Sequence, residues 1–139
     1  MSVRSIQGGS HLGSATPGDV NLLSADTPTS YTASATVTAA ELATEVLIFN
    51  TSATSASAVT MPSITDLNNR LINAKAGHYF DITVVNANTG TDITFTAGTG
   101  WSTNVGSSTI AYATSAQFRL RKTGSTGVAA SDAWVATRI

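Results

Sequence analysis

His78-Tyr79-Phe80-Asp81-Ile82-Thr83-Val84-Val85-Asn86 is the stretch that decides the fold class. Phe80, Ile82 and Val84 share one face, and Asp81 and Thr83 share the other, so a period of two predicts a half-buried strand. Asn86-Ala87-Asn88-Thr89-Gly90 reads as a turn. Thr91 to Ala97 then returns as a strand with Ile93 and Phe95 inward. Toward the C-terminus, Gly98-Thr99-Gly100 interrupts before Trp101. Thr109 to Ala113, Ala116 to Thr123 and Ala133 to Ile139 follow as strands, with Phe118 and Leu120 inward. Gly124 to Ser131 is a loop between the last two.

Toward the N-terminus the pattern is less uniform. Ser63 to Ala74 is the one convincing helix. Ser63 caps it, Asp66 sits in its first turn, and Ile64, Leu67 and Leu71 form an apolar stripe. Gly77 is placed as its terminator. Ala56 to Met61 is a strand ended by Pro62. Val46-Leu47-Ile48-Phe49 is a continuous apolar run, expected to be buried on both faces. Thr38-Ala39-Ala40-Glu41 has capping-box spacing and predicts a short helical turn through Leu42 and Ala43. Tyr31 to Val37 reads as a single strand. Many short strands at spacings near ten residues, joined by Gly and Asn turns, predict an all-β fold: a β-sandwich or jelly roll with one short helix and an extended N-terminal arm.

That arm is residues 1–30, and the domain is residues 31–139. Gly8, Gly9, Gly13, Pro17, Gly18 and Pro28 break every period in the arm, which has no core of its own. Fully extended it spans on the order of 100 Å at about 3.3 Å per residue. Ile6, Leu12, Leu22 and Leu23 are its candidate anchors on a partner surface, because a purely solvated tail has little use for them.

Composition narrows the function. The chain has 139 residues and a formal net charge of −1. It is 42% hydrophobic and only 11% charged, against about 25% charged in an average globular protein. Thr and Ser dominate its polar residues, and Thr suits a pleated surface. No basic field for nucleic acid is present, and no polybasic patch or long apolar run for a membrane. The N-terminus lacks a signal-peptide core, so cytoplasmic synthesis is expected. Arg119-Leu120-Arg121-Lys122 is the one basic cluster. Its positions 119 and 121 face away from 118, 120 and 122, and an outer charged face is the plain reading.

No residue set points to catalysis, a cofactor or a metal. Cys is absent, and zinc wants three or four N or S ligands, whereas the two histidines, His11 and His78, are far apart in sequence. A triad around His78 fails because Asp81, three residues on in a strand, faces the opposite side. Gly100-Trp101-Ser102-Thr103-Asn104 lacks the second glycine of a nucleophile elbow. The eight acids are isolated, so the convergent carboxylate pair of a glycosidase is not evident. Gly98-Thr99-Gly100 and Gly124-Ser125-Thr126-Gly127 join no strand to a helix carrying Lys, and read as turns. Trp134 is assigned to the core. Trp101, with Tyr79 and Tyr112, supplies the possible contact residues.

Four segments carry a family resemblance. They are Ala35 to Leu42, Gly77 to Asn86, Phe95 to Trp101, and the pair Phe118 to Thr123 with Ala133 to Ile139. Through them residues 31–139 resemble a β-sandwich module of phage structural proteins, especially capsid decoration or cement proteins. The resemblance implies a non-enzymatic virion protein on the capsid surface. It would sit as a homotrimer and clamp neighbouring major capsid protein subunits. The same module resembles parts of tail and head fibres, which implies an alternative role in binding a host receptor or glycan. An arm without a core needs a surface to order on, and few charges with much Thr, Ala and Ser suit flat self-complementary contacts. The arm itself lies outside the resemblance.

Overall fold

The computed structural model of the chain describes residues 26–51, 56–103 and 107–139. The proposed anchors Ile6, Leu12, Leu22 and Leu23 lie outside the described residues, as does His11.

In chain order the strands are β1 (Thr29–Tyr31), β2 (Ala35–Thr36), β3 (Val46–Phe49), β4 (Ser57–Thr60), β5 (Tyr79–Asn86), β6 (Ile93–Thr96), β7 (Ser102–Thr103), β8 (Thr109–Ile110), β9 (Thr114–Lys122) and β10 (Trp134–Arg138). A 3₁₀ turn, Glu41–Thr44, precedes β3, and helix α1, Ile64–Arg70, precedes β5. One sheet runs β1-β3-β5-β9-β10-β7 and the other β2-β4-β6-β8.

The all-β sandwich or jelly roll expected from the sequence is overturned by the pairing pattern. Both sheets are mixed. β1 with β3, β3 with β5, β2 with β4, β4 with β6, and β7 with β10 are parallel. Among the described residues, only β5 with β9, β9 with β10, and β6 with β8 are antiparallel. With α1 packed into the core, the architecture is mixed α/β. Its logic is a coil: the chain alternates between sheets from β1 to β6, and each new strand lies parallel beside the one two before it. The antiparallel strands β8, β9 and β10 then close it.

Two strand assignments change for this reason. Tyr31 to Val37 is not one strand; it breaks at Thr32-Ala33-Ser34 and places β1 and β2 in different sheets. β6 does not return beside β5 but crosses to the opposite sheet. The crossing is held by asparagines. Asn86 Nδ2 donates to the carbonyls of Thr91 (3.0 Å) and Ile110 (2.9 Å), and Asn86 Oδ1 accepts from the Asn88 amide at 3.1 Å. Asn88 Oδ1 accepts in turn from the Thr51 amide at 2.7 Å, so the corner after β3 is tied to the corner after β5. Both asparagines are buried; these bonds offset the cost of burying the Asn86 amide, whereas Asn88 Nδ2 is buried without a partner among the described residues.

Local signals in the helices act as their residues dictate. The Thr38 amide donates to the Glu41 carboxylate (2.7 Å) and the Glu41 amide to the Thr38 hydroxyl (3.1 Å), a reciprocal capping box. The Asp66 amide donates to Ser63 Oγ at 3.1 Å. α1 ends at Arg70, earlier than the expected Ala74. Gly77 is therefore not its terminator; with φ of +92° it makes the turn into β5, and its amide donates to the Lys122 carbonyl. Val46 and Ile48 on the outer side of β3 are half-buried, whereas Leu47 and Phe49 are fully buried, so this strand is fully covered on one face only.

The core lies between the sheets. Ile82, Val84, Phe118, Leu120 and Trp134 project from one, Val59, Ile93, Phe95 and Ile110 from the other, and each is no more than 2% exposed. Phe95 stacks on Phe118 with centroids 4.1 Å apart. Burying each such large side chain contributes roughly 1.5–3 kcal/mol. Gly98 is required where the turn before β7 meets the start of α1, because a Cβ there would lie 2.2 Å from the Pro62 carbonyl oxygen.

Candidate functional site

The sequence offers three possible contact residues, and the fold separates them. Tyr79 opens β5 and is exposed. Arg119, from the neighbouring strand, lies over its ring at 4.1 Å. Tyr112 is also exposed, but it precedes β9 at the opposite end of the β5–β9 ladder, where Thr114 pairs with Asn86. Trp101 is half-buried, packs against the core, and donates its indole N–H to the Pro62 carbonyl at 2.7 Å. Its ring lies 6.3 Å from that of Trp134. The three therefore form no common aromatic platform. Trp134 is in the core, as its strand position predicts.

The acids of the described residues are spread among separate structural roles. Glu41 and Asp66 cap helical turns. Asp92 accepts from the Tyr112 amide. Asp81, on the outward face of β5, binds Arg119 through both oxygens at 2.8 Å. The Arg119 hydrogen bond holds its carboxyl below the ordinary carboxylate range. Burial first, then the Glu41 carboxylate, pushes the Tyr31 hydroxyl upward, so it stays neutral. Among the described residues, no group of three or more His, Cys, Asp or Glu side chains is placed to hold a metal ion.

Asp132 is the acid that sequence reasoning undervalued. It reads as a turn residue, yet it is 1% exposed. Its Oδ1 accepts from the Thr126 hydroxyl (2.6 Å) and the Thr126 amide (2.7 Å), and its Oδ2 from the Gly127 amide (3.1 Å). Lys122 Nζ lies 3.4 Å away and also donates to the Ala74 carbonyl. The Thr126 hydroxyl leads the groups that hold Asp132 down to about 2. Lys122 thus departs from a plain outer charged cluster. It shares the inward parity of Phe118 and Leu120, and that parity was the available signal. The whole arrangement holds the β9–β10 loop and leaves no oxygen of Asp132 for a substrate.

A hollow remains. The 3₁₀ turn, α1 with the segment after it, the start of β5, and Trp134 enclose a cavity of about 510 Å³. Leu42, Leu67, Leu71, Phe80 and Trp134 supply its apolar wall, and Arg70, His78 and Tyr79 its polar lining. His78 Nδ1 accepts from the Lys75 amide at 3.2 Å, which leaves Nε2 as the ring's free N–H. His78 and Asp81 do not meet: Asp81 is engaged by Arg119 on the sheet's outer face.

Comparisons with family models, with curated proteins and with solved structures find no match in any of the three. No helix among the described residues is long and apolar enough to cross a membrane.

Proposed function

We propose that this chain is a non-enzymatic structural protein of a phage virion, one that decorates and stabilises the capsid by binding across major capsid protein subunits as a trimer. The observation that carries this reading is the outward face of β1, β3 and β5. Ser30, Val46, Ile48, Thr83 and Val85 share that face through the parallel register Ser30–Ile48–Val85 and Val46–Thr83. It bears no charge until the Asp81–Arg119 pair at its far end. Val46, Ile48 and Val85 are only half-buried there. A flat, uncharged, β-branched face is suited to a self-complementary contact in a cyclic oligomer. The carboxylates tied into caps and loops favour a structural over a catalytic role.

The test joins native mass spectrometry with co-sedimentation on expanded tailed-phage capsids. The full chain is expected to be a trimer that pellets with capsids, and Val85→Glu a folded monomer. Deleting residues 2–25 keeps β1 and is expected to leave a folded trimer that no longer pellets. A full chain that is monomeric and ignores capsids overturns the proposal. A truncation that still pellets overturns the role given to Ile6, Leu12, Leu22 and Leu23.

A further inference from the structure

We infer that the hollow between α1 and the start of β5 is a binding site for a small amphipathic monocarboxylate, with its hydrocarbon body against the half-buried Leu71, Ala74 and Phe80 and its carboxylate at Arg70. The volume, about 510 Å³, falls within the roughly 300–1,000 Å³ of sites that enclose small molecules. The wall is made of leucine, alanine and aromatic side chains, which favour an apolar body through the area removed from water.

The polar lining sets the sign of the ligand. Arg70 lies on the last turn of α1 and is exposed, and its side chain has no hydrogen bond or ion pair among the described residues. Two cations of β9 are engaged, Arg119 by Asp81, and Lys122 by Asp132 and Ala74. His78 adds its free ring N–H. A second guanidinium, that of Arg121, lies 3.9 Å from where a Cβ on the lining residue Gly77 would stand. No Asp or Glu lines the hollow among the described residues. An apolar cavity whose charged side chains are all cations complements an anion on a hydrocarbon chain. It disfavours the same chain carrying a cation, because nothing there would pair with it. A guanidinium presents a planar fork that matches a carboxylate.

The experiment is calorimetric titration of the full chain with sodium decanoate, and in parallel with decyltrimethylammonium, both below their micelle-forming concentrations. Intrinsic fluorescence serves as a second readout, since Trp134 forms part of the wall. Decanoate is expected to saturate at one per chain, with the ammonium compound about tenfold weaker or undetectable. Arg70→Glu is expected to reverse that order while leaving the folded spectrum unchanged, because the residue is exposed. Ala74→Phe, which fills the hollow, is expected to abolish binding of both. Absence of saturable decanoate binding overturns the inference. So does equal binding of the two compounds, or an unchanged preference in Arg70→Glu. The assay needs no capsid, so it stands or falls apart from the decoration proposal.

Discussion

Among the described residues, two ion pairs tie strand β9 to its surroundings, and their geometry ranks them in the wrong order. Arg119 and Asp81 meet at 2.8 Å through two parallel hydrogen bonds, but their side chains are 40% and 36% exposed. Lys122 and Asp132 are farther apart, at 3.4 Å, with side chains 6% and 2% exposed. The outer pair exchanges its water for little, since solvent screens it and ordering two side chains costs entropy. The inner pair has given up its water, and so depends on every neighbour that replaces it. Exposure, more than distance, decides which region the fold cannot lose.

The sharpest way to break this comparison is at Asn68, which supports the inner region without carrying charge. Asn68 Nδ2 donates to the carbonyls of Ala129 and Asp132, and its Oδ1 accepts from the Trp134 indole N–H at 2.7 Å. Asn68→Leu preserves size and leaves an indole N–H and two loop carbonyls without partners, so a loss of about 3 kcal/mol is expected in urea unfolding. A loss under about 1 kcal/mol would mean that water enters and replaces the amide, and that the inner region is less dry than its burial indicates.

A second, smaller effect follows from protonation. Asp132 is held at about 2 instead of its ordinary 3.8, first by the Thr126 hydroxyl. A carboxyl lowered in the folded state stabilises the fold above its ordinary value. That contribution is lost as pH falls through the folded value. Thr126→Val removes the leading cause and keeps the backbone donors. The variant should be less stable than the parent at neutral pH, and the gap should narrow between pH 3.8 and about 2. Thermal unfolding across that window reads it directly. A gap that stays constant with pH would assign the Thr126 side chain to packing, with no part in holding the charge.

Much of this inner region was legible in the residues, and the part that was not has a physical cause. The alternation in β5 and β9 correctly places Ile82, Val84, Phe118 and Leu120 inward, and both capping sequences form as read. A period of two tells which face of a strand is buried; it does not tell which neighbour completes the backbone hydrogen bonds. Asn86 to Gly90 has the composition of a hairpin turn, yet it carries the chain from one sheet to the other, with the buried Asn86 amide bonding the carbonyls of Thr91 and Ile110 across the corner. That is why the residues do not disclose the parallel pairing, and why the all-β sandwich they predict is overturned by it. The candidate sites fared similarly. Tyr79 and Tyr112 are exposed as contact residues should be, but strand direction puts them at opposite ends of a ladder. Asp132 looked like any loop acid because its partners are backbone amides and a hydroxyl, which leave no motif.

The smallest effect is expected at the outer pair, and it is the one that completes the comparison. Asp81→Asn removes the charge that pairs with Arg119 while keeping a side chain of the same shape on the outward face. Its lowered pKa arises first from the Arg119 hydrogen bond, but both groups remain in contact with water, and Arg119 retains its position over the Tyr79 ring. The thermal midpoint at neutral pH should therefore stay within experimental scatter of the parent, and added salt should remove what difference there is. A loss approaching that of Asn68→Leu would show that the Asp81–Arg119–Tyr79 group is shielded in the assembled protein. The same face of β5 that carries Thr83 and Val85 would then be covered by another copy of the chain, and the stability of the pair would become dependent on protein concentration.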